Sequence, residues 1–289
     1  MKKFFALMLA LAMVLTLAAC GAKEEPTAPE ADAPATEETV ENKYNTLTPG
    51  VLTVATSPDY APYEFYAIGA DGKAELAGFD IALIKYIADY LDMELDIIPM
   101  DFDGVLLELA NGSVDLGIAG ISPDPERANS MDFSDIYYEG GQAFITVKDK
   151  ADMFTDLASA NNADISVGAQ NGTIQMDLAQ QYSPDADLVT LTKATDIIAE
   201  LVSGKLDGGY VEWDVAVAYQ ENYPELHIVC EVPYDVEGNA IGVNKGNEAL
   251  LAGVNEAIAA CIEDGSFSQF VADALEQASG NIHEGLLEE

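Results

Sequence analysis

An internal repeat constrains the fold of this chain more than any other feature of its sequence. The pattern Glu-Leu-x-x-Gly-x-x-Asp-x-Gly begins once at Glu108 and again, in the same register, at Glu200. Each copy is typical of a helix end, closed by Gly112 or Gly204, followed by a buried strand. The sequence therefore predicts two similar α/β units, with a ligand beyond the carboxyl ends of their strands.

The two predicted strand ends carry opposite charges. In the first unit the strand ends at Gly120 and leads into a loop with Arg127, the one arginine of the chain. In the second unit the strand ends at Glu212. A guanidinium grips a carboxylate with two parallel hydrogen bonds, which a lysine cannot do. A zwitterion would be satisfied at both ends. The alternatives are a surface ion pair for Arg127 and a solvated acidic edge for Glu212.

A third segment, residues 165–173, is predicted to be a strand that feeds a Gly-Thr turn. A helix from Ile174 to Tyr182 should follow it. The free amides at a helix N-terminus favour anions, so Thr173 is a candidate for a second contact with a carboxylate. The alternative is a threonine that only caps its helix.

Another helix is predicted to begin at Gly78, with Asp80 as its N-cap residue. Isoleucine, alanine and leucine recur on one face of this segment up to Leu91. That spacing indicates a face packed into a core.

The N-terminal 44 residues are typical of an export signal and a tether. Residues 1–19 have a charged start and an apolar run too short to span a bilayer of about 30 Å. Leu-Ala-Ala-Cys matches a bacterial lipobox, which predicts lipidation of Cys20 and anchoring outside the cell membrane. The alternative is an ordinary signal with a stray cysteine. Residues 20–44, rich in Glu, Pro, Ala and Thr, are predicted to form a flexible acidic tether.

Charge and side-chain chemistry exclude several functions. With 51 acidic and 12 basic residues the formal net charge is −39, which argues against binding to nucleic acid. Cys230 and Cys261 fall in strand and helix patterns as small buried hydrophobes, and the two histidines, His227 and His283, are far apart in sequence. We therefore expect no cofactor, no metal site and no histidine-based triad.

Several short motifs occur in the order of a known family. They are Gly78-Phe-Asp80, Asn111-Gly-Ser-Val-Asp115, Pro125-Glu-Arg127, Asp132-Phe-Ser-Asp135 with Tyr137-Tyr138, Gly172-Thr173 and Gly242-Val-Asn-Lys-Gly246. By these motifs, residues 50–275 resemble the extracellular solute-binding proteins of polar amino-acid ABC importers, family 3. The resemblance implies the two-lobed α/β periplasmic-binding-protein fold of type II, in which two crossing strands join lobes that close on a ligand.

The resemblance also implies a division of the chain. Lobe 1 would comprise residues 45–140 and 240–280, and lobe 2 would comprise residues 141–239. The crossings would lie near residues 137–141 and 235–240. Residues 281–289 would be a polar tail.

The resemblance assigns three groups of site residues. They are Arg127, Ser122 and Thr173 for the α-carboxylate, Glu212 and Gly120 for the α-ammonium, and Tyr60, Phe102, Ser57 and Gln170 for the side chain. Tyr60 and Phe102 would sandwich the ligand side chain, with ordinary packing as the alternative. Many relatives carry an acid where this chain has Ser57, so its loss argues against a basic ligand unless Asp59 compensates.

The implied function is that of an extracytoplasmic lipoprotein that captures a free amino acid between closing lobes. Its partners would be an ABC permease with its ATPase and, through Cys20, the membrane; we expect a monomer. Two other functions stay open. One is a dehydratase-like enzyme with Glu212 as acid or base, and the other is a ligand-sensing partner of a membrane receptor. The residues do not identify the amino acid.

Overall fold

The structure is a computed structural model that describes residues 41–235, 238–280 and 282. The predicted signal sequence, Cys20 and residues 21–40 of the predicted tether lie outside the described residues. So do residue 281 and residues 283–289 of the predicted tail.

The described residues form thirteen strands and seven α-helices. The strands are β1 (Val51–Thr56), β2 (Asp59–Tyr60), β3 (Glu64–Ile68), β4 (Ala74–Ala77), β5 (Glu94–Pro99), β6 (Leu116–Gly117), β7 (Met131–Phe133), β8 (Gln142–Val147), β9 (Ser166–Gln170), β10 (Asp187–Leu191), β11 (Gly208–Glu212), β12 (Leu226–Glu231) and β13 (Gly242–Asn244). The helices are α1 (Phe79–Leu91), α2 (Phe102–Asn111), α3 (Ile174–Tyr182), α4 (Ala194–Val202), α5 (Trp213–Asn222), α6 (Glu248–Glu263) and α7 (Ser266–Ala278).

Two five-stranded sheets share one topology. The first has the order β5-β1-β6-β13-β7 and the second the order β10-β9-β11-β8-β12. In each sheet the first three strands are parallel and the last two join through antiparallel pairs. The repeated segments, α2–β6 and α4–β11, place their strands third in each order. The predicted pair of similar α/β units is confirmed.

Each sheet carries its own helices, which defines two lobes. Helix α2 packs on the first sheet. Helix α1 packs against β5 of the same sheet, and α6 and α7 pack against α1. Helices α3, α4 and α5 pack on the second sheet. A small sheet of β2, β3 and β4 packs on α1. We call the part built on the first sheet lobe 1 and the part built on the second sheet lobe 2.

The repeat glycines end their helices as predicted. Gly112 has φ +71° and follows α2, and Gly204 has φ +80° and stands two residues after α4. A side chain is strained in this left-handed conformation, so glycine is favoured at both positions. The turns aim β6 and β11 back into their sheets.

Helix α1 buries the predicted apolar face but begins differently from the prediction. Its buried apolar residues include Ile81, Ile84, Ile87, Ala88 and Leu91. Each large aliphatic side chain contributes about 1.5–3 kcal/mol when fully buried. The N-cap residue is Gly78, and the prediction that Asp80 caps the helix is wrong. Asp80 lies in the first turn, where its Oδ2 accepts a hydrogen bond from the Gly120 backbone at 3.0 Å.

Two neighbouring segments join the lobes. The chain leaves lobe 1 after β7 and returns to it before β13, and Tyr138 and Asn239 pair as an antiparallel bridge between these segments. The Tyr137 N–H donates to the Asn239 carbonyl at 3.0 Å, and the Asn239 N–H donates to the Tyr138 carbonyl at 2.8 Å. These bonds tie the two connecting segments to each other.

The two cysteines of the described residues are far apart in sequence and lie in different elements. Cys230 lies in β12 and Cys261 in α6, both as free thiols. None of the helices in the described part of the chain is both long enough and apolar enough to cross a membrane.

Candidate ligand-binding site

A cavity lies where the carboxyl ends of the parallel strands from both lobes face one another. It holds about 380 Å³ of empty space, counted out to its mouth and including open solvent. The nine residues assigned from the family resemblance all line it: Ser57, Tyr60, Phe102, Gly120, Ser122, Arg127, Gln170, Thr173 and Glu212. Their individual roles toward a ligand stay predictions.

Arg127 reaches across the cleft. It begins a short 3₁₀ helix, Arg127–Asn129, in the loop after β6. Its Nη1 donates to the Ser122 carbonyl and its Nη2 to the Gly172 carbonyl of lobe 2, both at 2.9 Å. The guanidinium carbon lies 5.7 Å from the ring centroid of Phe102. A guanidinium has five N–H donors, so several remain for a ligand.

A surface ion pair does not explain this arginine. Among the described residues no carboxylate pairs with Arg127 within 4.0 Å, and the four ion pairs that form all use lysine. Burial lowers the pKa of the guanidinium, while Asp124 and Asp177 raise it. The arginine is a half-buried cation without an ion-pair partner among the described residues, which suits an anionic ligand group.

Thr173 caps helix α3. Its Oγ1 accepts from the Met176 N–H at 3.4 Å and donates to the Gln170 carbonyl at 2.7 Å. The capping alternative is thus what the structure shows for the hydroxyl. A contact between Thr173 and a ligand carboxylate would come from the backbone amides at this helix start, beside Gly172.

Glu212 ends β11 and caps α5. It is 1% exposed. Its Oε2 accepts from the backbone N–H groups of Asp214 and Val215 at 2.7 and 3.0 Å, and its Oε1 accepts from that of Gly141 at 3.1 Å. Burial, and then the charge of Asp214, raises the pKa of Glu212 to about 8. The solvated-edge alternative is wrong, because this carboxyl group is buried at the wall of the cavity.

Gly120 is held on both sides of its peptide group. Its N–H donates to Asp80, as described above, and its carbonyl accepts from Asn239 Nδ2 at 2.6 Å. Its φ is +53°, and an added Cβ would lie 3.3 Å from the Tyr60 ring. The carbonyl has a second lone pair that remains for an ammonium group.

Tyr60 and Phe102 form aromatic walls in lobe 1. The Tyr60 hydroxyl accepts from Gln175 Nε2 at 3.0 Å, and the same nitrogen donates to Gln142 Oε1 at 2.7 Å. Phe102 is the first residue of α2 and lies below the Arg127 guanidinium. Each aromatic side chain therefore contacts another residue of the protein and also borders the cavity.

Asp59 is not free to replace the acid that many relatives carry at the position of Ser57. Its Oδ1 accepts from the Ser57 hydroxyl at 2.8 Å. Its Oδ2 accepts from Gln170 Nε2 at 3.3 Å and from the Ala194 N–H at 2.5 Å. Burial raises the pKa of Asp59 to about 6, and the hydrogen bond from Ser57 opposes that shift. Both carboxylate oxygens are already engaged by the protein.

Glu64 is the acid that sequence reasoning missed. It lines the cavity from β3 and is 1% exposed. No N–H or hydroxyl group of the described residues donates to its oxygens, and its hydrogen-bond neighbour is the carboxyl group of Asp80. Burial, and then the neighbouring charge of Asp80, raises the pKa of Glu64 well above its ordinary value. Its position after the aromatic and proline-rich loop was the available signal, but the burial of both oxygens was not visible in the sequence.

Other lining residues were also missed. They are Ala119, Gln142, Ile174, Gln175 and Asn239. Most adjoin a predicted residue or a crossing, and Gln175 stands in the first turn of α3. The polar ones orient predicted residues, as Gln175 does for Tyr60 and Asn239 does for Gly120.

The model of one protein family matches most of this chain. The family is that of the bacterial extracellular solute-binding proteins, family 3, and the match covers residues 52–276. The chain belongs to this family. Membership confirms the predicted two-lobed fold and the predicted class, an extracytoplasmic binding protein rather than an enzyme.

Individual members of the solute-binding family are similar over most of their length. The arginine-binding extracellular protein ArtP of Bacillus subtilis (strain 168) is 28% identical over 253 residues, 86% of this chain and 88% of ArtP. A probable histidine-binding protein of Neisseria gonorrhoeae is 28% identical over 284 residues, 97% of this chain and 98% of that protein.

A solved structure of the family is similar as well. The substrate-binding protein AbpA of Streptococcus pneumoniae, crystallised with L-arginine, superposes with a TM-score of 0.76 at 33% identity. The superposition covers 80% of this chain and 96% of AbpA.

Proposed function

We propose that this solute-binding protein captures a basic amino acid, arginine before others, and delivers it to an ABC permease and its ATPase. The observation that carries the proposal is the excess of acidic over basic side chains in the wall of the cavity. Three buried acids, Asp59, Glu64 and Glu212, line it together with one guanidinium, that of Arg127. A buried charge is stable only when an opposite charge or several hydrogen bonds meet it. The names of the relatives point the same way.

The backbone of an amino acid would use the two charged ends of the cavity. Its α-carboxylate would take the free donors of Arg127 and the amides at the start of α3, with Ser122 beside them. Its α-ammonium would lie against Glu212 and the carbonyl of Gly120. These contacts come from both lobes, so the ligand binds the closed form more tightly and shifts the population toward it.

The side chain of the ligand would meet Glu64. Ionising a carboxyl group that is buried beside a second acid, Asp80, is costly next to a neutral side chain, and a cationic side chain compensates that cost. A guanidinium adds a planar fork that matches a carboxylate and stacks between aromatic faces, here those of Tyr60 and Phe102. These features favour arginine over lysine, and lysine over glutamine.

Thermal unfolding of the mature protein with each common amino acid tests this proposal. A micromolar ligand at millimolar concentration stabilises the folded state by about 4 kcal/mol. We expect the largest rise in Tm with arginine, a smaller rise with lysine or histidine, and little with glutamate. A larger rise with a neutral or acidic amino acid than with arginine contradicts the proposed ligand class.

Ligand binding is expected to release a proton from Glu212. With a pKa of about 8 in the empty cleft, this carboxyl group is mostly protonated at pH 7. A bound ammonium lowers that pKa, so the complex holds fewer protons than the free protein. Affinity should therefore rise as the pH rises from about 6 to 8. Calorimetric titrations at pH 7 in two buffers of different ionisation enthalpy measure the release.

The control for this prediction is Glu64→Gln, which removes another acid at the cavity whose pKa is raised. A proton released by Glu212 persists in that variant, whereas one released by Glu64 disappears. Equal binding enthalpies in both buffers would mean that Glu212 is ionised before the ligand arrives.

We also propose that Cys20 carries a lipid anchor and that the lobes divide at residues 140/141 and 239/240. The lipobox Leu-Ala-Ala-Cys supports the anchor, and the crossing at Tyr138 and Asn239 supports the division. Cys20→Ser is expected to move the protein from the membrane fraction to the surrounding fluid, because its anchor is lost. Fractionation followed by immunoblotting measures this, and unchanged membrane retention contradicts it.

A further inference from the structure

Helix α4 of lobe 2 lacks a cap from its own neighbourhood. The residue at its N-cap position is Lys193, whose side chain makes no capping hydrogen bond. The first N–H of the helix, that of Ala194, instead donates to Oδ2 of Asp59, a residue 135 positions earlier in β2 of lobe 1. Capping by a carboxylate satisfies an orphan amide and meets the positive end of the helix dipole.

Other groups of lobe 2 converge on the same residue. Gln170 Nε2, at the end of β9, donates to Asp59 Oδ2 at 3.3 Å. The Tyr219 hydroxyl of α5 donates to the Asp59 carbonyl at 3.1 Å. From its own lobe, Asp59 receives the Ser57 hydroxyl on Oδ1 at 2.8 Å. Asp59 is 5% exposed, so the cluster is closed to solvent.

The protein makes these bonds between its own lobes, without a ligand group in between. Opening the cleft removes three donors of lobe 2 from Asp59, and water must replace them. Hydrogen bonds to a buried carboxylate are stronger than those at an exposed rim. At the rim of the cleft, Asn171 Nδ2 donates to Asp103 Oδ2 at 3.1 Å, and this hydrogen bond is exposed to solvent.

We infer that Asp59 is an interlobe latch: its carboxylate caps α4 of the opposite lobe and favours the closed cleft before any ligand binds. The inference deepens the proposed function by separating closure from ligand choice. Apparent affinity scales with the fraction of protein in the binding-competent state, and this scaling is the same for every ligand. Asp59 should therefore set how tightly all ligands bind, while Glu64 sets which ligand binds best.

The test compares Asp59→Asn with the wild type in two measurements on the mature protein. Small-angle X-ray scattering without ligand should give a larger radius of gyration for the variant, because its lobes open. Calorimetry should give Kd values for arginine and for lysine that rise by the same factor, about ten- to a hundredfold, as expected for a lost bond to a buried charge. The scattering measurement needs no ligand, so it tests the latch even if the proposed ligand class is wrong.

Two further variants control the experiment. Ala194→Pro removes the donor of the latch at the first helical position, where proline is tolerated, and Lys193 before it is already extended at φ −117° and ψ 146°. It should reproduce the Asp59→Asn result without changing any acid. Asp103→Asn, the matched change at the rim, should alter Kd less than about threefold.

Two outcomes overturn the inference. A loss of arginine affinity much larger than the loss for lysine would make Asp59 a ligand-contacting residue. An unchanged radius of gyration in both Asp59→Asn and Ala194→Pro would show that these bonds do not hold the cleft closed.

Discussion

Arg127→Ala is expected to weaken ligand binding by roughly 10²- to 10⁴-fold, the loss of about 3–5 kcal/mol that follows removal of one partner of a buried charge pair. Arg127 is the cation that we propose meets the ligand carboxylate, and it has no ion-pair partner among the described residues. Its substitution would leave the ligand carboxylate buried without a counter-charge. Calorimetric Kd values for arginine measure the effect.

Arg127→Lys separates charge from geometry. Lysine keeps the positive charge but offers a single point donor instead of a planar fork, so the loss should lie between those of the alanine variant and the wild type. Because the side chain of Arg127 donates only to the carbonyls of Ser122 and Gly172 among the described residues, both variants should still fold. Binding by Arg127→Ala within about twofold of wild type, in a folded protein, would falsify the carboxylate assignment.

Glu64→Gln is expected to reverse the ligand preference. The buried carboxyl group of Glu64 borders the cavity and has another acid, Asp80, as its hydrogen-bond neighbour, so a cationic side chain gains most from it. An isosteric amide should weaken arginine binding by about a hundredfold, the effect of losing a charged partner, while glutamine binding stays equal or improves. Kd values for both amino acids, taken together, measure the change in preference.

The same substitution should stabilise the ligand-free protein at high pH. The pKa of Glu64 is raised in the folded state, so its contribution is present at low pH and is lost as the pH rises through that value. Glutamine does not titrate, and the Tm of Glu64→Gln should fall less between pH 6 and pH 9 than that of the wild type. Glu75→Gln, at an exposed position of β4, is the matched control and should follow the wild type. Parallel Tm curves for all three proteins contradict a buried, strained Glu64.

Much of the fold could be predicted because its signals are local. The glycines that close α2 and α4, the buried strands after them and the apolar face of α1 depend on residues only a few positions apart. The helix after Thr173 has the bounds that its Gly-Thr turn predicted. The lining of the cavity followed from ordered motifs of a family, which place Arg127 and Glu212 at strand ends without any knowledge of the contacts they make.

What the sequence by itself determined is therefore the pair of α/β units, the one arginine and the positions that line the cleft. Only the tertiary structure decided how these groups are used. Asp80, expected as a helix cap, instead accepts a hydrogen bond from Gly120, and the Asp59 carboxylate caps a helix 135 residues away. Glu64 lies buried at the cavity wall beside Asp80. The physical reason is that burial and the pairing of distant polar groups depend on how lobes dock, which no local pattern records.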